Sequence, residues 1–276
     1  MTVRLANRGS YHPGMLTFHA IGDWSPEQVR ATWAAPGRRI VPDVEKVIDA
    51  AWQAALRRPG VKLFDGPMCR LESWRASPDD LTLALSETSY RPFLGTNLSH
   101  PELADRYGRQ VMADPLGVSP ALLTTDGFLL LGRRNAAVAY YPNRIHPFAG
   151  ALEPRDGGDV FGAVRRELRE ELCVEESAIL DIRCTGLVED RALRQPELIY
   201  RTSTTRTRRQ LEEQVRPEEH RDSVAIPAEP DAIAGAVLDP ALTPVAVASL
   251  MLWGRIRFGE EWFARVRRLS DSPAGP

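Results

Sequence analysis

The chain has 276 residues, of which 43% are hydrophobic and 26% charged, a balance that indicates a folded globular protein rather than a disordered chain or a membrane bundle. Its formal net charge of −2 gives no general attraction for nucleic acid or for an anionic membrane, so we expect neither as a partner. The three cysteines form no CxxC pair, and the first residues contain no apolar leader segment. We therefore expect a cytoplasmic protein with reduced thiols.

The first part of the chain mixes helical and extended patterns. The predicted elements are a helix over 27–34, a helix over 42–58, and strands over 62–74 and 81–90. Ser25-Pro26 marks the start of the first helix, because serine is a good N-cap and proline suits the first helical position. Pro59-Gly60 marks the end of the second helix. We predict a smaller α+β domain over residues 1–115.

A second pattern starts near residue 116 and continues to the end of the chain. Its predicted elements are strands over 121–125 and 128–133, a Gly/Pro-rich loop over 142–158, a helix over 159–173, strands over 184–188 and 198–202, a helix over 210–215, a strand over 223–227 and a helical region over 243–268. Asp126-Gly127 is a strong two-residue hairpin signal between the first two strands. Gly254 is the predicted break in the last helical region. We predict one α/β domain over residues 116–276.

The helix over 159–173 carries three carboxylates on one arc. At about 100° per residue, Glu170 and Glu171 both lie within roughly 60° of Glu167. An apolar stripe runs beside this arc and consists of Phe161, Val164, Leu168 and Leu172. The helix can thus pack its apolar side while the carboxylates point into a cleft.

Like charges at these spacings destabilise an isolated helix by a few tenths of a kcal/mol per pair, roughly, and a hard divalent cation would remove this cost. Mg²⁺ and Mn²⁺ take oxygen ligands and pair with substrate phosphates. The alternative is a solvated acidic face neutralised by the neighbouring arginines Arg165, Arg166 and Arg169. The spacing alone leaves both interpretations open.

The run Arg166 to Val174, R-E-L-R-E-E-L-C-V, resembles the core of the Nudix box, the metal-binding signature of the Nudix hydrolases. The resemblance implies an α/β/α sandwich with a mixed sheet. It also implies that Arg166 orients the glutamates and that Glu167, Glu170 and Glu171 coordinate Mg²⁺, with Mn²⁺ as a substitute. Two positions depart from the family pattern: Cys173 stands where glycine is usual, and Gly158 stands where a glutamate is usual.

A second series of motifs lies upstream, and it includes T-S-Y-R-P-F-L-G-T-N over 88–97 and A-D-P-L-G-V over 113–118. In this order, ahead of a Nudix box, the series is similar to the UDP-glucose/UDP-galactose-hydrolysing Nudix proteins of animals. The resemblance covers roughly residues 60–200. It implies hydrolysis of a nucleoside diphosphate sugar, giving UMP and a sugar 1-phosphate from UDP-glucose or UDP-galactose.

The run over 88–97 supplies the candidate nucleotide contacts. Tyr90 can stack on a base, Arg91 can pair with phosphate, and Thr96 and Asn97 offer neutral donors and acceptors. The alternative is that this run only joins the two domains.

Nudix enzymes commonly recruit one more carboxylate from outside the helix, as ligand or base. Glu197 is the first choice, because it aligns with a glutamate of the resembling proteins; Glu189 and Asp190 come next. Glu218 and His220 are further candidates, which we expect on a loop over the cleft. With Glu167 and Glu171 as the in-helix alternatives, the catalytic residues predicted by the resemblance are Arg166, Glu167, Glu171 and Glu197.

Three functional hypotheses follow. The first is a Mg²⁺-dependent UDP-sugar diphosphatase whose partner is a small nucleotide-sugar substrate. The second is a Nudix hydrolase of another nucleoside diphosphate derivative, such as ADP-ribose, a dinucleotide or a coenzyme A derivative. The third is a nucleotide-sugar-binding protein without turnover. The sequence gives no prediction of the oligomeric state.

Overall fold

The computed structural model describes residues 15–35, 37–58, 63–216 and 220–271. Within these ranges the strands are β1 (Leu16–Trp24), β2 (Val29–Trp33), β3 (Pro67–Ala76), β4 (Leu81–Ser89), β5 (Gly117–Leu123), β6 (Phe128–Arg134), β7 (Ile145–His146), β8 (Gly150–Ala151), β9 (Ile179–Asp190), β10 (Gln195–Thr204) and β11 (His220–Pro227). The helices are α1 (Pro42–Leu56), α2 (Tyr90–Phe93), α3 (Leu103–Tyr107), α4 (Val160–Leu172), α5 (Arg208–Glu212), α6 (Pro230–Ala236), α7 (Pro244–Phe258) and α8 (Glu260–Asp271).

The larger sheet lies between two helical layers. Its strand order is β1-β9-β10-β5-β6-β11, with β7 paired to β6 and β8 to β5, and only the β10–β5 pair is parallel among the described strands of this sheet. Successive residues of a strand face opposite layers, so Leu198 and Tyr200 pack with α4 while Ile199 packs with α7 and α8. The predicted α/β/α sandwich with a mixed sheet is confirmed.

The smaller sheet has the order β2-β4-β3 and belongs to the first part of the chain. Leu81, Leu83 and Leu85 of β4 are fully buried, and they share a core with the apolar stripe of α4. The smaller sheet therefore packs against the core that holds α4. Helix α1 is anchored separately, through Val44 and Ile48, to the segment around α3.

Strand β1 belongs to the larger sheet although it precedes residue 115. Its residues pair antiparallel with β9, from Leu16 opposite Asp190 to Trp24 opposite Cys184. Trp24 is buried, and its indole N–H donates to the carbonyl oxygen of Ser77 at 2.9 Å. Residues 16–24 are thus hydrogen-bonded into the sheet that we assigned to residues 116–276. The division of the chain near residue 115 stays a prediction.

The predicted helix over 27–34 is wrong. Pro26–Gln28 form a single 3₁₀ turn, after which the chain enters β2. Val29, Thr32 and Trp33 favour extended backbone, and β4 supplies a parallel partner that a local capping signal does not reveal.

The C-terminal helical region breaks at Gly259 and not at the predicted Gly254. Gly259 has φ +90°, a left-handed conformation that ends α7. Gly254 stays inside α7, where the ring of Trp262 lies so close that a Cβ atom would overlap it. The glycine at 254 therefore serves the close packing of α7 and α8.

The predicted helices over 42–58 and 159–173 are confirmed as α1 and α4 within one or two residues at each end. The hairpin at Asp126-Gly127 is confirmed between β5 and β6, with Gly127 at φ +86°. Pro59-Gly60 lies outside the described residues. None of the described helices combines the length and the apolar content needed to cross a membrane.

Candidate active site

Helix α4 is fixed at both ends by local interactions. The Asp159 side chain caps the N-terminus by accepting from the backbone N–H groups of Phe161 and Gly162 at 3.1 and 2.8 Å. Cys173 ends the helix with φ 52°, which is left-handed backbone that favours glycine. This conformation explains why a glycine is usual at this position in the Nudix box. The caps set the phase of the helix and therefore the direction of its carboxylates.

The three carboxylates of α4 have different environments. The side chains of Glu167 and Glu171 are 10% and 7% exposed, whereas that of Glu170 is 48% exposed. The apolar stripe predicted beside them is fully buried in the core. Two of the three predicted ligands thus face the interior, and Glu170 lies at the surface.

Arg166 connects α4 to the loop that precedes it. Its guanidinium donates to both carboxylate oxygens of Asp156 at 3.1 and 3.0 Å and to the carbonyl oxygen of Ala151 at 3.1 Å. It also donates to Glu167 at 2.6 Å and to Glu170 at 3.4 Å. The charged hydrogen bonds to Asp156 and the charges of nearby carboxylates raise the pKa of Arg166 despite its burial. Arg166 therefore contacts two of the three glutamates, and its role in orienting them stays a prediction.

Glu167 is a buried acid among other acids. Burial raises its pKa most strongly, and the charges of Glu171 and Glu170 raise it further. The guanidinium of Arg166 opposes this effect only in part, so the pKa of Glu167 rises to about 8. A group of neighbouring acids that raises a carboxyl pKa in this way favours a bound cation.

Glu197 lies at the start of β10, in register with Gly117 of the parallel strand β5. It is 5% exposed, and the hydroxyl of Ser119 donates to its Oε2 at 2.9 Å. Burial raises the pKa of Glu197 to about 8, against the opposing effect of Ser119. A carboxyl group with this pKa can take up a proton near neutral pH.

Three glycines on neighbouring strands leave room for the polar side chains of this region. A Cβ atom at Gly117 would overlap the carboxylate of Glu197, and one at Gly150 would overlap that of Glu167. A Cβ atom at Gly132 would overlap the ring of His220. The polar side chains therefore lie directly against the backbone of β5, β6 and β8, at positions where any residue larger than glycine would clash with them.

The sequence of the chain is similar to curated proteins of known activity. It is 32% identical over 213 residues to the uridine diphosphate glucose pyrophosphatase NUDT22 of Mus musculus, a match that covers 64% of this chain and 69% of the mouse protein. It is 36% identical over 200 residues to the protein of the same name from Bos taurus, with coverage of 64% and 67%. The chain belongs to the NUDT22 family of Nudix hydrolases.

The remaining comparisons add little to this assignment. A hydrolase of the Nudix family from Clostridium perfringens superposes with a TM-score of 0.36 at 12% identity, over 52% of this chain and 99% of the other. No protein-family model matches the chain. Membership of the NUDT22 family therefore rests on the sequence matches.

The carboxylates of this NUDT22-family chain fit a hard divalent cation by their chemistry. Glu167, Glu170 and Glu171 supply oxygen donors, and the buried like charge on Glu167 and its neighbours is what such an ion neutralises. In the part of the chain that the structure describes, no group of three His, Cys, Asp or Glu side chains is arranged to hold a metal ion. Glu170 instead hydrogen-bonds to Arg166 at the protein surface.

The hydrogen bonds of Thr96 and Asn97 lie within the chain, and their contact with a nucleotide stays a prediction. Both are fully buried, and the amide of Asn97 accepts from the backbone N–H groups of Ala113 and Asp114 at 3.1 Å. Its NH₂ group donates to Asp114 and to the carbonyl oxygens of residues 193 and 194. These contacts use the hydrogen-bonding capacity of Asn97 within the chain. The geometry favours the alternative role, in which the run joins the N-terminal part to the larger sheet.

Tyr90 and Arg91 lie at the start of the same run. The half-buried ring of Tyr90 contacts Trp52 and Phe93 edge to face, with ring centroids 6.4 and 6.0 Å apart. The partly exposed guanidinium of Arg91 pairs with Asp49 on α1. The structure thus separates these two residues from the interior pair Thr96 and Asn97, and their contact with a nucleotide stays a prediction.

The alternative external carboxylates are engaged elsewhere. Glu189 pairs with Arg109 and with His19, whereas Asp190 accepts from the hydroxyl of Tyr141 at 2.6 Å. Glu218 lies outside the described residues. In the described part of the chain the Glu197 side chain hydrogen-bonds only to the neutral hydroxyl of Ser119, and its role as ligand or base stays a prediction.

Asp190 should make stability depend on pH. Burial raises its pKa to about 6 from 3.8, so the folded state holds the proton more tightly than the unfolded state does. The stabilisation by this proton is complete below pH 3.8 and is lost as the pH rises through 6. The free energy of unfolding of the wild type, relative to an Asp190→Asn variant, should fall by about 2 kcal/mol between roughly pH 4.5 and 7.5. Urea unfolding of both proteins across this range measures it, and a constant difference would contradict the assignment.

The sequence did not predict the role of Asp156, and it predicted the wrong position for His220. Asp156 lies ten positions before Arg166 and accepts two hydrogen bonds from it, a contact that helical spacing cannot reveal. His220 was a candidate on a loop over the cleft, whereas it begins β11 and is 1% exposed.

Proposed function

We propose that this protein hydrolyses the diphosphate bond of a nucleoside diphosphate sugar, with UDP-glucose or UDP-galactose as substrate and Mg²⁺ as cofactor. The observation that carries the proposal is the pair of buried glutamates, Glu167 and Glu171, held on α4 beside Arg166. The curated relatives, which are named as uridine diphosphate glucose pyrophosphatases, support the substrate class.

Glu167, Glu170 and Glu171 would hold the metal. Mg²⁺ held there would neutralise phosphate oxygens, lower the pKa of the attacking water and stabilise the leaving phosphate. Arg166 keeps Glu167 in place through its own contacts with Asp156 and Ala151. The same guanidinium keeps Glu170 close to the helix, so one arginine restrains two of the three ligands.

The reaction consumes one water molecule. The water oxygen forms a bond to one phosphorus, the bridging P–O bond breaks, and the products are UMP and a sugar 1-phosphate. One proton leaves the water and must be accepted. Glu197 is suited to this task because its pKa of about 8 lies near neutral pH and because Ser119 fixes its orientation. Glu167 and Glu171 are the alternatives within α4.

Incubation of the purified full chain with UDP-glucose and Mg²⁺, followed by chromatography of the products, tests the proposal. We expect UMP and glucose 1-phosphate in equal amounts, and no turnover in the presence of EDTA. ADP-ribose, a dinucleotide and a coenzyme A derivative belong in the same panel at equal concentration. If the protein hydrolysed the adenine compounds but not the UDP-sugars, the proposed substrate assignment would be refuted. Binding of UDP-glucose in calorimetry without any product would refute the catalytic role.

A further inference from the structure

His220 makes a buried contact with one of the proposed metal ligands. Its Nε2 lies 3.3 Å from Oε1 of Glu171, and the two side chains are 1% and 7% exposed. The two residues are 49 positions apart and belong to β11 and α4, so the contact depends on the tertiary fold. A buried carboxylate with such a neighbour is held in one orientation, because the surrounding protein leaves little room for another.

The buried ring of His220 has two close neighbours, Phe148 and Gly132. Phe148 contacts it with ring centroids 4.8 Å apart. Gly132 of β6 is a second neighbour of the ring, two residues before Arg134, which pairs with His220 across the β6–β11 ladder. A Cβ atom at Gly132 would overlap Nδ1 of the ring. The imidazole can therefore reach Glu171 only while residue 132 lacks a side chain.

The backbone supports the same juxtaposition. Arg216, four residues before His220, donates its N–H to the carbonyl oxygen of Glu171 at 3.1 Å. Arg216 thus contacts the main chain of Glu171, and His220 contacts its side chain. Glu171 is fixed relative to this strand as well as to its own helix.

We propose that His220 is a positioning residue that holds the Glu171 carboxylate by donating its Nε2–H, and that Gly132 is needed because it leaves space for the ring. This inference rests on the proposed function, in which Glu171 is a metal ligand. Hydrogen bonds from outer groups orient metal-binding carboxylates, and loss of such a partner typically weakens metal binding or activity by about 10–100-fold.

The first measurement is a titration of the substrate-free full chain with Mn²⁺. Electron paramagnetic resonance detects the free ion and so gives the dissociation constant. We expect His220→Ala to raise the Mn²⁺ dissociation constant by about 10–100-fold. His220→Gln should stay within about threefold of wild type, because the glutamine amide can donate from a position near Nε2. Equal affinities of wild type and His220→Ala would overturn the proposal, as would failure of His220→Gln to restore binding in a protein with wild-type thermal unfolding.

Gly132→Ala tests whether Gly132 acts on Glu171 by leaving space for the His220 ring. The added methyl group should displace His220 and reproduce the loss of His220→Ala, although no ligand is changed. In the double variant the methyl group meets no imidazole, so it should add little to the effect of His220→Ala alone. If the losses of Mn²⁺ affinity in Gly132→Ala and His220→Ala were fully additive in the double variant, the inference that Gly132 acts through the His220 ring would be overturned. Gly235→Ala is the matched control, because a Cβ atom there meets nothing within 4 Å, and it should leave binding unchanged.

Imidazole ¹⁵N spectra of the metal-free protein separate this inference from the proposed function. Glu171→Gln should shift the His220 Nε2 signal, which is identified by its loss in His220→Gln, whereas Glu176→Gln should not. If the wild type hydrolyses no nucleoside diphosphate sugar and the shift is present, the contact stands and the proposed function falls. If hydrolysis and Mn²⁺ binding are intact and the His220 variants change neither, the positioning role falls alone.

Discussion

A Glu171→Gln variant is expected to lose about 10³-fold in the rate of UDP-glucose hydrolysis while it stays folded. Removal of a charged ligand forfeits several kcal/mol of transition-state stabilisation, and each 1.4 kcal/mol corresponds to about tenfold in rate. The glutamine keeps the shape of the side chain and an oxygen that can accept from His220. The free energy of unfolding should therefore change by less than about 1 kcal/mol. Steady-state kinetics and urea unfolding of the same preparations measure both quantities.

Glu176→Gln is the matched control for this experiment. Glu176 follows α4 closely, its side chain is 80% exposed, and it pairs only with Arg165 in the described part of the chain. The same chemical change there should leave the hydrolysis rate within about twofold, because a surface ion pair contributes little. Equal rates for Glu171→Gln and wild type would reject the site on α4.

An Arg166→Ala variant should lose about 3–5 kcal/mol in free energy of unfolding, in addition to its activity. Arg166 is 9% exposed and compensates the buried carboxylates Asp156 and Glu167. Without it these acids remain buried without their cation, which is the costly way to break a buried ion pair. Chemical denaturation monitored by circular dichroism measures the loss. Arg166 lowers the pKa of Glu167, so without Arg166 this carboxyl takes up its proton at a higher pH. The deficit should therefore shrink as the pH is lowered toward the wild-type pKa of about 8 and change little below it.

The neighbouring Arg165 provides the comparison. It belongs to the same helix, but its side chain is 32% exposed and its partner Glu176 is at the surface. Arg165→Ala should change the free energy of unfolding by less than about 1 kcal/mol. A similar loss for the two arginines would mean that the burial of Arg166 does not matter. Arg166→Lys should be intermediate, because an ammonium group cannot reproduce the forked contact with Asp156.

The acidic helix was predictable from sequence because every signal for it is local. The apolar stripe and the spacing of Glu167, Glu170 and Glu171 both follow from helical periodicity, and the structure contains α4 in the predicted place. The exposure of Glu170 was not predictable in the same way. It depends on which side of the helix the loop carrying Asp156 covers.

Long-range contacts account for most of what the sequence concealed. Asn97 was a reasonable candidate for a nucleotide edge, since its amide both donates and accepts. In the structure the same capacity serves the backbone at residues 113 and 114 and the turn between β9 and β10. His220 reaches Glu171 only because β11 pairs with β6 and because Gly132 has no side chain that would occupy the position of the ring. No pattern within one segment encodes either arrangement.

The pairing of β1 with β9 has a consequence for any shortened form of this enzyme. A fragment that starts at residue 116 would keep α4 and its glutamates. The edge of β9 along residues 184–190, which pairs with β1 in the full chain, would then lack its hydrogen-bonding partner. Unsatisfied peptide groups in a row are a template for a neighbouring molecule. Because β1 covers this edge of β9 in the full chain, a fragment without β1 would be expected to precipitate or pair with copies of itself.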